Sequence, residues 1–162
     1  MFNIGIITAS DKGSRGERED ISGKTIAAML AGIGTIKHYI VVPDEKEALS
    51  NQMVLMADEL AIDLILTTGG TGLGSRDVTP EATLSIIDRE VPGIAEVMRA
   101  KSLEKTNRAM LSRAVAGTRG RTLIINLPGS PKGVQECLEV VLPALEHGLQ
   151  ILRGEASECA RQ

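Results

Sequence analysis

Short apolar runs of strand length alternate with stretches of helical periodicity along nearly all of this chain. Residues 2–9 are an apolar run that ends in Ser10-Asp11. Over residues 24–33, Ile26, Met29, Leu30 and Ile33 fall at i, i+3, i+4 and i+7, one face of a helix. Ile36 to Val42 reads as a second strand closed by Pro43-Asp44, and Asp63 to Thr68 as a third. Between them Leu49, Met53, Met56 and Leu60 repeat the helical spacing. Thr79-Pro80-Glu81 predicts a helix with Thr79 as its cap and Pro80 in its first turn, continuing through residue 89. Pro92-Gly93 opens another helix to about residue 105, and Thr122 to Asn126 is a last core strand. Val134, Cys137, Leu138, Val141, Leu145 and Leu152 line a closing helix, in which Pro143 predicts a kink. This alternation predicts a three-layer α/β/α sandwich with a mainly parallel sheet. Residues 1–154 are expected to form one domain and 155–162 a frayed tail.

At 162 residues the chain can bury a core without metal or disulfide staples. Cys137 sits on the apolar stripe and Cys159 in the tail, so neither a disulfide framework nor a zinc site is expected. With no transmembrane run and no basic leader, a cytoplasmic setting is the expectation. A net charge of −3 and only two aromatic residues, Phe2 and Tyr39, give nucleic acid neither a basic field nor a stacking platform.

In an open parallel sheet, ligands bind beyond the carboxyl ends of the strands. Four strand ends carry polar or glycine-rich text: Ser10-Asp11, Asp44-Glu45, Gly69 to Asp77, and Asn126 to Gly129. Loops 69–77 and 126–131 are therefore expected to face one cleft. The loop after the third strand, Thr67-Thr68-Gly69-Gly70-Thr71-Gly72-Leu73-Gly74-Ser75-Arg76-Asp77-Val78-Thr79, places four glycines in six positions. Such a loop allows close backbone approach and an anion-binding nest, and it leads into a helix N-terminus. Arg76 adds positive charge, and Asp77 suits a divalent cation bridging phosphate oxygens. Two other nucleotide motifs fail. No G-x-G-x-x-G follows the first strand, and Gly23-Lys24-Thr25 lacks the P-loop glycine because position 18 is Arg. Lys24 then reads as an exposed first-turn residue.

This loop, with Pro43-Asp44-Glu45, Ser112 to Gly117 and Asn126-Leu127-Pro128-Gly129-Ser130-Pro131, resembles the molybdopterin adenylyltransferase family. These are molybdenum-cofactor biosynthesis proteins that include the first domain of gephyrin. The resemblance runs from Ile7 to the closing helix, and T-T-G-G-T-G-x-x-x-R-D-x-T is its specific signature; the text at Leu73-Gly74-Ser75 departs from many family loops. It implies adenylyl transfer from ATP to the terminal phosphate of molybdopterin with Mg²⁺, in a cytoplasmic homotrimer whose product serves a molybdate-inserting partner. Asp44 and Asp77 match the family's catalytic and metal-handling aspartates. Gly69, Gly70, Thr71 and Gly72 match its pterin- and phosphate-recognition loop. Ser10, Asp11, Thr68, Arg76, Thr79, Asn126, Pro128, Gly129 and Ser130 complete the expected substrate and nucleotide site. Ser112 and Arg113 match the pattern too, Arg113 either as a phosphate contact or as a solvated helix-end residue. Ile94, Val97, Met98, Met110 and Leu111 are apolar enough to cover the core or a subunit contact. His38, His147 and the charged loop 15–20 carry no recognisable chemistry. Two rival functions are a nucleotide pyrophosphohydrolase, as in competence-damage proteins of related fold, and a non-catalytic molybdopterin-binding module.

Overall fold

The computed structural model describes residues 1–155; Cys159 and all of the expected tail except Glu155 lie outside them. Six strands form one sheet: β1 (Phe2–Ala9), β2 (Gly34–Val42), β3 (Leu64–Thr68), β4 (Arg89–Glu90), β5 (Ala116–Arg119) and β6 (Thr122–Leu127). Their order is β2-β1-β3-β6-β5-β4. The first four are parallel, whereas β5 runs antiparallel to both β6 and β4. Among the described residues the α-helices are α1 (Asp11–Ser14), α2 (Ile21–Met29), α3 (Lys46–Val54), α4 (Thr79–Leu84), α5 (Pro92–Leu103) and α6 (Pro131–Arg153).

Side chains of successive strand residues go to opposite faces, which divides the core in two. Phe2, Ile4 and Ile6 of β1 join Leu64, Leu66, Leu123 and Ile125 under α2, α5 and α6. Ile7 and Ala9 join Ile65 and Ile124 under α3 and α4. The central strands, covered on both sides, are therefore apolar almost throughout. The sandwich has the three layers expected.

Local departures have identifiable causes. The helix expected through residue 89 stops at Leu84, because Arg89 and Glu90 pair with Thr118 and Gly117 as an edge strand. Strand β5 carries Gly117 and Arg119 in place of an alternating apolar pattern, and the periodicity does not mark it. Helix α2 begins earlier than its apolar face, at Ile21, because Asp20 accepts a hydrogen bond from Gly23 N as its cap. Thr79 is not the cap of α4. Its hydroxyl donates to Gly69 O, and Val78 takes the cap position without a side-chain bond. Helix α6 continues through Pro143 without a break.

The amino ends of the strands are closed by one ion pair. Arg153 at the end of α6 grips Asp63 with Nε to Oδ1 at 2.9 Å and Nη2 to Oδ2 at 2.7 Å, and its guanidinium lies 4.5 Å from the centre of the Phe2 ring. Burial pushes the Asp63 carboxyl up, but Arg153 and the Asn3 N–H outweigh it and the net direction is down. A carboxyl held low in this way contributes stability above its unfolded pKa and loses it as pH falls through its folded pKa. Arg153→Ala is expected to cost about 2 kcal/mol near neutrality, the range for hydrogen bonds to a charged group. In unfolding measured against pH, the difference from wild type should shrink through the acid range. A constant difference would show that Arg153 acts through packing alone.

Candidate active site

The carboxyl ends of β1, β2, β3 and β6 surround a cavity of about 560 Å³. Ser10, Asp44, Thr68, Gly69, Gly70, Asp77, Gly129 and Ser130 all line it, so the two loops expected to share a cleft do so. Asp20, the last residue of the charged loop expected to carry no chemistry, and Ser22, absent from the expected site, line it as well. The local signal in the sequence is the capping spacing of Asp20 to Gly23; its partners Thr8 and Tyr39, both hydroxyl donors, come from β1 and β2. The N-termini of α2 and α6 both open here, and Ser22 Oγ donates to Gly129 O at 2.7 Å to hold them together. Their free N–H groups and dipoles favour an anionic ligand.

Three carboxylates meet at the rim. Asp11 N donates to Asp44 Oδ2 at 2.9 Å, and Asp44 N donates to Asp11 Oδ1 at 3.0 Å. Arg76 reaches across from the glycine loop to grip Asp11 with two bonds, 2.8 and 3.0 Å long. Asp11 and Arg76 thus lock three strand ends together at the edge of the cavity, and neither lines it. Arg76 also holds the Asp11 carboxyl below its ordinary value. Burial pushes the Asp44 carboxyl up, and the charges of Asp11 and Asp77 add to that push. A cation between Asp44 and Asp77 would relieve this crowding, so the residues fit the divalent ion that the resemblance implies. Asp44 and Asp77 each commit Oδ2 to a backbone N–H, Asp77 to Gly74 at 2.8 Å. Among the described residues no group of three or more His, Cys, Asp or Glu side chains is arranged to hold a metal alone. Substrate oxygens and water would have to complete the shell, as is usual for Mg²⁺.

The glycine loop follows from its close contacts. Gly69 has φ +89, and a Cβ there would lie 2.5 Å from the Ala9 carbonyl oxygen. Gly70 has φ +69 and faces Thr79 Oγ1 as closely. Past these two, Thr71 and Gly72 turn to a second cavity of about 310 Å³ between α5 and α6, which Pro128 and Ser130 also border. Some expected site residues play structural parts instead. Thr79 is fully buried as the loop's tether. Asn126, also fully buried, spends its amide on Thr67 and Thr83 and its oxygen on Val115 N. It lies in β6, opposite Thr67, in the core strand expected to end there. Cys137 is buried on α6 as expected, and Lys24 is exposed and paired with Glu19.

The fold and the site together define an α/β protein with a cavity at the carboxyl edge of its sheet, onto which a glycine loop and two helix N-termini open. The family is then specific: residues 5–147 match the model described as "probable molybdopterin binding domain", and the chain belongs to that family. It is 44% identical over 156 residues to the molybdopterin adenylyltransferase of Helicobacter pylori (strain J99), covering 94% of this chain and 89% of that protein. Gephyrin of Dictyostelium discoideum is also 44% identical, over 163 residues that cover 94% of this chain and 23% of gephyrin. The crystal structure of the molybdopterin biosynthesis enzyme MoaB from Thermus thermophilus superposes with a TM-score of 0.90 at 55% identity, covering 98% of this chain and all of that one.

Proposed function

We propose that this chain is a molybdopterin adenylyltransferase of molybdenum-cofactor biosynthesis. The observation that carries the reading is the meeting of Asp44, Asp77, the glycine loop and two helix N-termini on one cavity, in a chain 44% identical to a protein of that name. An oxygen of molybdopterin's terminal phosphate attacks the α-phosphorus of ATP; the bond to the β-phosphate oxygen breaks and pyrophosphate leaves. Little proton chemistry falls to the protein in such a displacement, so alignment and charge stabilisation dominate. Gly69 and Gly70 let a phosphate approach the backbone, and the N-termini of α2 and α6 stabilise its charge. Asp44 and Asp77 would hold Mg²⁺, which supplies neutralisation of the phosphate oxygens when bound. Without such a cation their carboxylates would repel both substrates. Incubation with molybdopterin, ATP and Mg²⁺ should yield adenylylated pterin and pyrophosphate. ATP turnover without molybdopterin would favour a pyrophosphohydrolase instead, and pterin binding without transfer a non-catalytic module.

The same reading includes a homotrimer that passes its product to a molybdate-inserting partner in the cytoplasm. No helix among the described residues is long and apolar enough to cross a membrane. Met98 is in the core, but Val97 is exposed and, with Ile94 and Ile151, borders an apolar groove of about 480 Å³ between α5 and α6. Met110 and Leu111 are also exposed. Covering such surface with a second copy removes it from water. Sedimentation at micromolar concentration should show one species of three chains, and monomer alone would refute the assembly.

A further inference from the structure

Arg113 has no part in the transfer proposed above, yet it touches the glycine loop at several points. Its Nε donates to Gly72 O at 2.7 Å and its Nη2 to Asp77 O at 2.6 Å, while Nη1 pairs with Glu81 in the first turn of α4. Its own backbone N–H donates to Thr71 O at 2.9 Å. All three guanidinium nitrogens are therefore engaged within the protein, and Arg113 lines neither cavity beside the loop. Its guanidinium is turned to the loop's carbonyls and to Glu81.

We propose that Arg113 is a positioning residue that sets the glycine loop for its anionic ligand by holding three carbonyl oxygens. In a trans peptide the carbonyl and the next residue's N–H point in opposite directions. The structure has no cis peptide among the described residues. Fixing the oxygens of Thr71, Gly72 and Asp77 on the Arg113 side therefore turns the N–H groups of Gly72, Leu73 and Val78 away from it. A loop of glycines has many other conformations open to it, and Thr71 and Gly72 at one cavity and Asp77 at the other need a fixed backbone to meet a ligand. Glu81 fixes the guanidinium in turn, so the loop's geometry is referred to α4 rather than left to the glycines. Lysine cannot substitute, because one ammonium does not reproduce a planar fork that reaches two carbonyls and a carboxylate.

This inference rests on the adenylyltransferase reading only for its kinetic test. Arg113→Ala should speed amide hydrogen exchange in residues 72–78 of the ligand-free protein by about tenfold or more, with β1 and β3 unchanged. In the transfer assay the KM for molybdopterin should rise by about tenfold or more, with the KM for ATP within about twofold. Millimolar guanidinium should restore part of both losses, and Arg113→Lys should behave like Arg113→Ala. Glu81→Gln keeps the guanidinium and should give the same pattern more weakly, which serves if Arg113→Ala folds poorly. Unchanged loop exchange in Arg113→Ala would overturn the proposal. So would faster exchange spread equally over β1 and β3 without rescue, the mark of a general stability role. If the wild-type protein transfers no adenylyl group, the functional reading fails, while the exchange and rescue measurements still decide the clamp.

Discussion

Asp77→Asn should cut adenylyl transfer by about a hundredfold or more, on the order of 3 kcal/mol at the barrier, while molybdopterin still binds. The structure makes this substitution a clean one. Asp77 Oδ2 accepts from Gly74 N, and an amide oxygen can accept the same bond. Arg113 holds the Asp77 backbone carbonyl rather than its side chain, so the clamp is untouched. What disappears is the charge needed to hold a divalent cation. The same loss removes one of the two like charges that push the Asp44 carboxyl up, so Asp44 should titrate lower in the variant. Pterin binding is expected to hold or to tighten, because a negative charge has left the neighbourhood of a phosphate. Titrating molybdopterin and timing transfer on one preparation separates the alternatives. Intact transfer would exclude a role in holding the cation. Binding lost in step with activity would make Asp77 a loop-shaping residue only.

How far the sequence could be read depended on whether the signal was local. The strand-end rule placed Asp44, Gly69 and Gly129 at one edge, because each follows within two residues an apolar run whose direction a parallel sheet fixes, and Asp77 came with them on the loop that Gly69 opens. The layers followed from periodicity for the same reason. Arg113 was legible only as a residue type, since its role depends on three carbonyls whose directions are set by tertiary structure. Asn126 was legible as the end of a strand but not as a buried amide, since its partners Thr67, Thr83 and Val115 come from other parts of the fold. Arg76 carried a charge visible in the sequence, yet the partner that neutralises it, Asp11, lies at the end of another strand. The antiparallel β5 and β4 lacked any apolar alternation, so only the sheet itself reveals them.

Gly69→Ala should damage both fold and function, and a second glycine isolates the reason. Gly120 also has a positive φ, +54, but a Cβ there would meet nothing within 4 Å. Gly120→Ala should therefore cost only the backbone preference, about 1–2 kcal/mol. At Gly69 the added carbon would also sit 2.5 Å from the Ala9 carbonyl oxygen. That atom is main chain at the end of β1, so no change of rotamer relieves the collision. Nor can Gly69 simply retreat, because its N–H bonds to Leu127 O and its carbonyl accepts from Thr79 Oγ1. Relief has to come from separating the carboxyl ends of β1 and β3, the place where Asp11, Asp44 and the loop converge. The expected loss is about 3–5 kcal/mol, combining left-handed strain with overpacking. Transfer should fall by more than about a hundredfold in whatever protein remains folded, because catalytic groups tolerate little displacement. Denaturant unfolding of both variants beside the transfer assay tests the argument. If Gly69→Ala proves no less stable than Gly120→Ala and still transfers, the loop has a freedom that the Ala9 contact denies it.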